Sequence, residues 1–472
     1  MKNLETQLIC LGMLYVCHNI LIFAIIMKKS KIERALERTT DTKECLLGAG
    51  ALNRSAEFFK KSFPGAVAIV VADKNTWAVA GRQVQEILES GGVDTCEPYI
   101  FDDKHFYAEW KFVEMLREHL AGVDAIAVAV GSGVINDLVK YVSGCLGRKY
   151  MCVGTAASMD GFTAFGASIT KDGNKQTFSC PAPYAFLMDP VIAAAAPKEL
   201  CASGYADLIA KIPAGADWML ADCVGAEAID PFGWSLVQDG LRESLANPAA
   251  VRSGDVVMTE ALCEGLLMSG FAMQAIQSSR PASGTEHQYS HCWDMENLSY
   301  PDGTHVSHGF TVGIGTLVST ASLEFLLEQD LNAIDTDACV AAWPSWEKME
   351  ADIRTLFEGK PGHLARALKE SRDKYVDADG LRSQIEALKA AWPELRGQIR
   401  SQILPFDQVY ESLKAVGAPY KSEMICVSRE HLMQTFDYIP YMRSRFTNVD
   451  AIFRLGLLPS LKKRLFNDVF LQ

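Results

Sequence analysis

At 472 residues the chain is longer than one ordinary hydrophobic core, so two domains with appended segments are expected. Nearly half of it is hydrophobic and 22% is charged, a globular composition. The net charge of −13 excludes a nucleic-acid binder, though local donors can still hold a small phosphate-bearing substrate. Thirteen cysteines without a C-x-x-C pair exclude a disulfide framework and a thiolate zinc module, and point to reduced thiols in the cytoplasm.

In chain order, Leu8 to Met27 comes first, almost wholly apolar and followed by Lys28-Lys29-Ser30-Lys31. Its length sits at the threshold for a membrane span, and no small-residue cleavage site follows a basic start. Two readings stay open: an N-terminal anchor, or sequence upstream of a true start at Met27. After an anchor the basic run would keep the remaining chain on the cytoplasmic side, so in either case the catalytic part is expected to face the cytoplasm.

Ala66 to Ala72 reads as a fully buried strand ending in Asp73, with a helix through Val79–Leu88 that Gly91-Gly92 breaks. Val123 to Val130 is a second strand that empties into Gly131-Ser132-Gly133. Val134 to Val142 then has helical periodicity. Strands alternating with helices predict a parallel, doubly wound sheet. A glycine turn between strand and helix can bring backbone N–H groups to a diphosphate, although the full G-x-G-x-x-G fingerprint is missing. Asp73 can accept hydrogen bonds from an adenosine ribose and repel a 2′-phosphate, or it can simply cap a helix.

Tyr150–Val153 is a short strand running into the small-residue loop Gly154 to Gly161. Asp172-Gly173 marks a hairpin within Ala167–Phe178, and Ala185 to Pro190 looks like another strand end. Pro197 opens a helix in its first turn, and that helix or its continuation carries Asp207 and, one turn on, Lys211. Four of the nine histidines (His287, His291, His305, His308) fall in one short region. Ser283 and Glu286 read as a capping box, which starts a helix with His287 and His291 on one face. Two imidazoles on one face with a third nearby suggest a divalent metal site. Beyond Thr316 helices are expected over Leu317–Gln329, Ser345–Phe357, Leu364–Lys374, Leu381–Ala391, Phe406–Val416 and Arg429–Met433. Trp392-Pro393 and Gly417-Ala-Pro419 act as breakers, and the basic run at Leu461–Leu465 reads as a solvated helix end.

Five stretches together resemble one family, the AraM-like sn-glycerol-1-phosphate dehydrogenases, within the superfamily of iron-type alcohol dehydrogenases, glycerol dehydrogenase and dehydroquinate synthase. They are Gly131-Ser-Gly-Val-Ile-Asn-Asp137, Thr155-Ala-Ala-Ser-Met-Asp-Gly161, Gly204-Tyr-Ala-Asp207, Ser283-Gly-Thr-Glu-His287 with His291, and His308-Gly309. The resemblance implies that Asp207, His287 and His308 ligate one divalent metal, with zinc, nickel or iron all compatible. It implies that Asp160, Asp207 and His291 contact substrate, Asp160 and His291 being the catalytic candidates. The cofactor, NAD or alternatively NADP, would lie against Asp73, Gly131, Ser132, Gly133, Val134, Ile135, Thr155, Ala156, Ala157 and Ser158. The implied reaction of phospholipid metabolism interconverts dihydroxyacetone phosphate and sn-glycerol 1-phosphate.

The chain departs from the family at Ala164, where a serine is usual, and in a longer interval between His287 and His308 that makes His305 a rival third ligand. His308 is preferred because His-Gly precedes Thr311-Val-Gly-Ile-Gly315. The expected architecture is an α/β dinucleotide-binding domain of Rossmann type over 28–190 and an all-α metal and substrate domain over 191–472, in a homo-oligomer, with 1–27 set apart. The alternatives are a polyol dehydrogenase of the same fold, a dehydroquinate-synthase-like cyclase, and a membrane-tethered metal-binding module without catalysis.

Overall fold

A computed structural model describes residues 30–469. The segment Leu8–Met27, anchor or misplaced start, lies outside them. The main sheet is built from β1 (Glu44–Leu47), β2 (Ala68–Asp73), β3 (Tyr99–Phe101), β4 (Ile126–Gly131), β5 (Tyr150–Gly154) and, after a separate hairpin of β6 (Ala167–Lys171) and β7 (Asn174–Phe178), β8 (Ala185–Met188). Its spatial order is β3-β2-β4-β5-β8-β1, with every pair parallel.

The central strands are buried on both faces, which is why they read as continuous apolar runs. Alternate residues feed two cores: Ile69 and Val71 face one side with Phe112 and Leu138, whereas Val70 and Val128 face the other with Phe59 and Leu88. The chain leaves β2 outward to β3 and returns on the other side of β2 to form β4. That reversal opens a crevice at the carboxyl ends of β2 and β4, where Asp73 and Gly131 stand. In the hairpin, Asp172 and Gly173 both have positive φ (52° and 74°), the backbone that a two-residue Asp-Gly turn requires.

Six helices position the site: α1 (Gly133–Cys145), α2 (Lys198–Ile209), α3 (Lys211–Cys223), α4 (Val256–Ile276), α5 (Thr285–Met295) and α6 (His308–Glu328). From Pro190 onward the described chain is helical apart from its connections, one of which closes on an isolated antiparallel bridge between Ser299 and His305. The first apolar core continues from the sheet into this part through Leu208, Leu317 and Leu413. α4 and α6 are apolar enough over 21 residues to cross a membrane, but α6 is buried on all sides at the centre of the helical part, which explains its all-round hydrophobicity.

Several expectations are corrected. Ser283 does not cap α5: Gly284 is the N-cap, and Ser283 instead accepts from the Arg445 guanidinium. The N-terminus of α5 is held from another helix, because Asp217 of α3 accepts the Thr285 N–H at 2.7 Å, and its other oxygen accepts from Asn448. Pro197 is the N-cap of α2 rather than a first-turn residue. α2 and α3 are separate helices broken at Ala210, since Pro213 has no N–H to offer Ile209. Pro393 is no breaker and sits inside one helix, Ala378–Gln402. Ile385, Leu388, Trp392, Leu395 and Ile399 are all buried at helical spacing there. Burying five such side chains at about 1.5–3 kcal/mol each outweighs a proline penalty of about 3 kcal/mol. The short strands β1 and β3 carry too weak a local pattern to have been foreseen, whereas the helix Trp110–Ala121, with Phe112, Val113, Leu116 and Leu120 buried at helical spacing, had a legible one that sequence reasoning missed.

Candidate metal and substrate site

Asp207 lies in the last turn of α2, His287 in the first turn of α5 and His308 at the first position of α6. These helices meet closely because glycines face the contacts: a Cβ on Gly309 would overlap the Ser203 carbonyl of α2, and one on Gly315 would overlap the Glu286 carbonyl of α5. One ligand atom from each of Asp207, His287 and His308 lies within 4.8 Å of the other two. His287 Nε2 is 3.8 Å from Asp207 Oδ1, and the His287 and His308 ring centres are 5.4 Å apart.

This donor set fits a divalent ion. Ligands of one ion at about 2.1 Å each can be no more than about 4.2 Å apart, so only a small closure separates the observed geometry from coordination. The Nδ1 atoms are already engaged behind the cluster. His287 Nδ1 is 2.9 Å from Glu286 Oε1, and His308 Nδ1 is 3.2 Å from Ser290 Oγ and 3.6 Å from Asp294 Oδ2. A carboxylate behind each imidazole fixes the tautomer that leaves Nε2 for a metal. Burial pushes the Glu286 carboxyl up to about 7 and holds His287 well below its ordinary range, in the neutral form that can ligate.

Asp207 is fully buried with an equally buried ammonium beside it. Lys211 Nζ is 2.7 Å from Asp207 Oδ1 and 2.8 Å from Asp160 Oδ2, and the Asp160 N–H donates to Asp207 Oδ2 at 3.0 Å. Burial by itself would raise the Asp207 carboxyl, but the charge of Lys211, with His308, brings it below the usual range. Lys211 is therefore committed to two carboxylates and is not available to a phosphate. Asp160 Oδ2 also accepts from Ser269 at 2.8 Å, while Oδ1 accepts no hydrogen bond from the described residues. His291, one turn beyond His287, has its ring centre 6.2 Å from that of His287 and its Nδ1 4.0 Å from Asp294 Oδ2. Burial, with the positive charge of Arg443 adding to it, keeps His291 well below its ordinary range.

His305 is elsewhere: it stacks on Tyr107 at 4.1 Å and meets Ser299 through Nδ1. Ala164 packs with Met273 and Ala282, an apolar setting in which its methyl is at home. Its carbonyl, with those of Gly161 and Gly166, accepts from the buried Lys140 ammonium at 2.7–3.1 Å, which secures the loop carrying Asp160.

The residues expected on the nucleotide side gather at the carboxyl ends of β2, β4 and β5. Gly131 pairs with Gly154, and the Thr155 N–H donates to the Gly131 carbonyl at 3.0 Å. A side chain on Gly131 would run into Ile135, so the strand-to-helix turn needs glycine on packing grounds alone. Ser132 is the N-cap of α1 without a side-chain cap bond, while Gly133 and Val134 form its first turn. Thr155, Ala156, Ala157 and Ser158 are buried where α2 crosses, and Ser203 Oγ donates to the Ser158 carbonyl at 3.2 Å. Asp73 caps its own helix, accepting from Asn75 N at 2.8 Å and Thr76 N at 3.1 Å.

Sequence reasoning missed Glu286 as a partner of His287, along with Ser290, Asp294, Lys175 and Arg443. Asp294 had a signal, since 287, 291 and 294 share one helix face. Lys175, which pairs with Asp294 at 3.2 Å from the hairpin, had none. Lys175, with His308 and His291, holds the Asp294 carboxyl well below the usual range against the opposing effect of burial.

The profile of the iron-containing alcohol dehydrogenase family matches residues 46–197, most of the parallel sheet and its helices. The glycerol dehydrogenase of Schizosaccharomyces pombe has the same fold, with TM-score 0.57 at 17% identity over 90% of this chain and 91% of that one. In sequence, the chain is 32% identical over 282 residues to a glycerol-1-phosphate dehydrogenase, NAD(P)+, of Halalkalibacterium halodurans, covering 59% of this chain and 70% of the relative. It is 30% identical over 324 residues to that of Geobacillus stearothermophilus, covering 67% and 80%. The chain belongs to the glycerol-1-phosphate dehydrogenase family of the iron-containing alcohol dehydrogenase superfamily.

Proposed function

We propose that this chain interconverts dihydroxyacetone phosphate and sn-glycerol 1-phosphate, with NAD(H) or NADP(H) as the hydride partner and one divalent metal. The observation that carries this reading is the closure of Asp207, His287 and His308 from three helices into one cluster, in a chain whose relatives are glycerol-1-phosphate dehydrogenases. Asp207, His287 and His308 would hold the metal, and Asp73, Gly131 to Ile135 and Thr155 to Ser158 the dinucleotide. When bound, the metal supplies Lewis acidity toward the substrate oxygen and the dinucleotide supplies or takes the hydride.

The protein's own part is positioning and proton handling. Lys211 and the Asp160 N–H keep Asp207 ionised and oriented, while Glu286 and Asp294 turn the two imidazoles inward. Asp160, fixed through Oδ2, presents Oδ1 to a substrate hydroxyl. His291 exchanges the proton at the substrate oxygen as hydride arrives at or leaves the carbon. The buried walls around Asp207 and His287 exclude water from the reacting centre.

The test is NADH oxidation by the full chain with dihydroxyacetone phosphate, after chelation and again after adding zinc, nickel or iron. Activity that vanishes with the metal and returns on addition supports the reading. Equal turnover of dihydroxyacetone without its phosphate would turn it toward a polyol dehydrogenase, and cofactor that is never consumed toward a cyclase.

A further inference from the structure

Most cations facing this site are already spoken for. Lys211 lies between Asp207 and Asp160, Lys175 pairs with Asp294, and Arg280 faces Glu227 and the Phe446 carbonyl. Arg443 and Arg366 differ: among the described residues neither has a carboxylate oxygen within 4.0 Å. Arg443 follows the short turn Ile439–Tyr441, which packs on α5, the helix of His287 and His291. It is only partly buried and donates no hydrogen bond to any described residue. Arg366, from the helix Pro361–Lys374, has only the Met295 sulfur, at 3.8 Å, as a weak acceptor.

A third guanidinium, Arg445, spends its hydrogen bonds on Ser279 and Ser283 and leaves its charge uncompensated by an ion pair. The nearby Glu370 is drawn off by the Ser444 N–H at 2.7 Å. A protein of net charge −13 thus concentrates positive charge beside His291. Burial, and then the neighbouring charges of Arg445 and Arg366, push Arg443 down to about 9, while Glu370 and Glu286 oppose the shift without forming an ion pair with it among the described residues. A partly exposed guanidinium with no ion pair or hydrogen bond among the described residues keeps its donors free for an anionic ligand.

We infer that Arg443, supported by Arg366, is the seat of the substrate's phosphate group. The inference rests on the function proposed above. A three-carbon substrate with its carbonyl oxygen at the Asp207–His287–His308 cluster carries its phosphate a few bonds away, toward the His291 side where these guanidiniums stand. The planar fork of arginine suits two phosphate oxygens at once.

The test compares wild type with Arg443→Gln and Arg443→Lys in the full, metal-loaded chain. The ratio of kcat/KM for dihydroxyacetone phosphate to that for dihydroxyacetone should fall about 100-fold in the Gln variant, as for loss of a charge-assisted contact, and less in the Lys variant. Inorganic phosphate should inhibit wild type competitively and the Gln variant only weakly. Equal loss on both substrates, or weakened NADH binding with an unchanged ratio, overturns the assignment. Should wild type turn over neither substrate, equilibrium binding of inorganic phosphate decides independently. Binding lost in Arg443→Gln then supports the anion seat although the proposed function has failed, and unchanged binding removes it.

Discussion

At the level of single residues, the cluster and its backing groups make separable predictions. Replacing His287 by alanine should remove most of the bound metal, with metal content per chain falling from near one to near zero in elemental analysis. Replacing Glu286 by glutamine keeps the ring in place but weakens its orientation, so metal affinity should drop about 10- to 100-fold. Asp73 offers a different readout. Asp73→Ser retains an N-cap while removing the charge, so the NADPH-to-NADH ratio of kcat/KM should rise at least about tenfold if a ribose lies there; an unchanged ratio would leave Asp73 a cap alone. The clustering of the candidate ligands was legible in the sequence because such residues and glycine turns have local spacing. Asp207, His287 and His308 could be named from their family motifs, and His305 was a rival because the interval after His287 is longer than usual; nothing in its polar loop signals the stacking on Tyr107. Arg443 could not be named, since only folding brings it beside a helix about 150 residues earlier.

At the level of elements, contacts between helices decide where the ligands stand. Gly309→Ala would ordinarily stabilise a helix by about 1 kcal/mol, but here the methyl meets the Ser203 carbonyl, so a net loss of about 2–3 kcal/mol is expected and a lowered melting temperature would record it. The N-terminus of α5 is held by Asp217, whose carboxyl is pushed up to about 6 by burial and then by the Glu286 charge. Its folded value lies above the ordinary 3.8, so the stability this proton confers is complete below about pH 4 and lost as pH rises through about 6. Asp217→Asn should therefore flatten the change in unfolding free energy between about pH 4 and 6 in denaturant titrations. Strand and helix identity came readily from apolar runs and periodicity. The capping box at Ser283 and the break at Pro393 did not hold, because a distant carboxylate and a buried stripe of five apolar side chains outweighed the local signals.

At the level of the whole molecule, the sheet and the helical half share one continuous core, and the proposed metal ligands Asp207, His287 and His308 join helices α2, α5 and α6. Metal removal should accordingly lower thermal stability as well as activity, by an amount that grows with the logarithm of free metal concentration over its dissociation constant. A melting temperature indifferent to chelator would mean that the three helices do not share an ion. The parallel order of the sheet was implied by the alternation of strands and helices, yet the crevice depends on β3, a three-residue strand too short to announce itself.

The ammonium of Lys140, surrounded by the carbonyls of Gly161, Ala164 and Gly166, does for its loop what a dehydrated alkali ion does in other proteins. Cutting that side chain back to alanine would leave three oxygens aimed at one vacant point. Such a variant should acquire an appetite for potassium or ammonium salts that larger organic cations cannot satisfy.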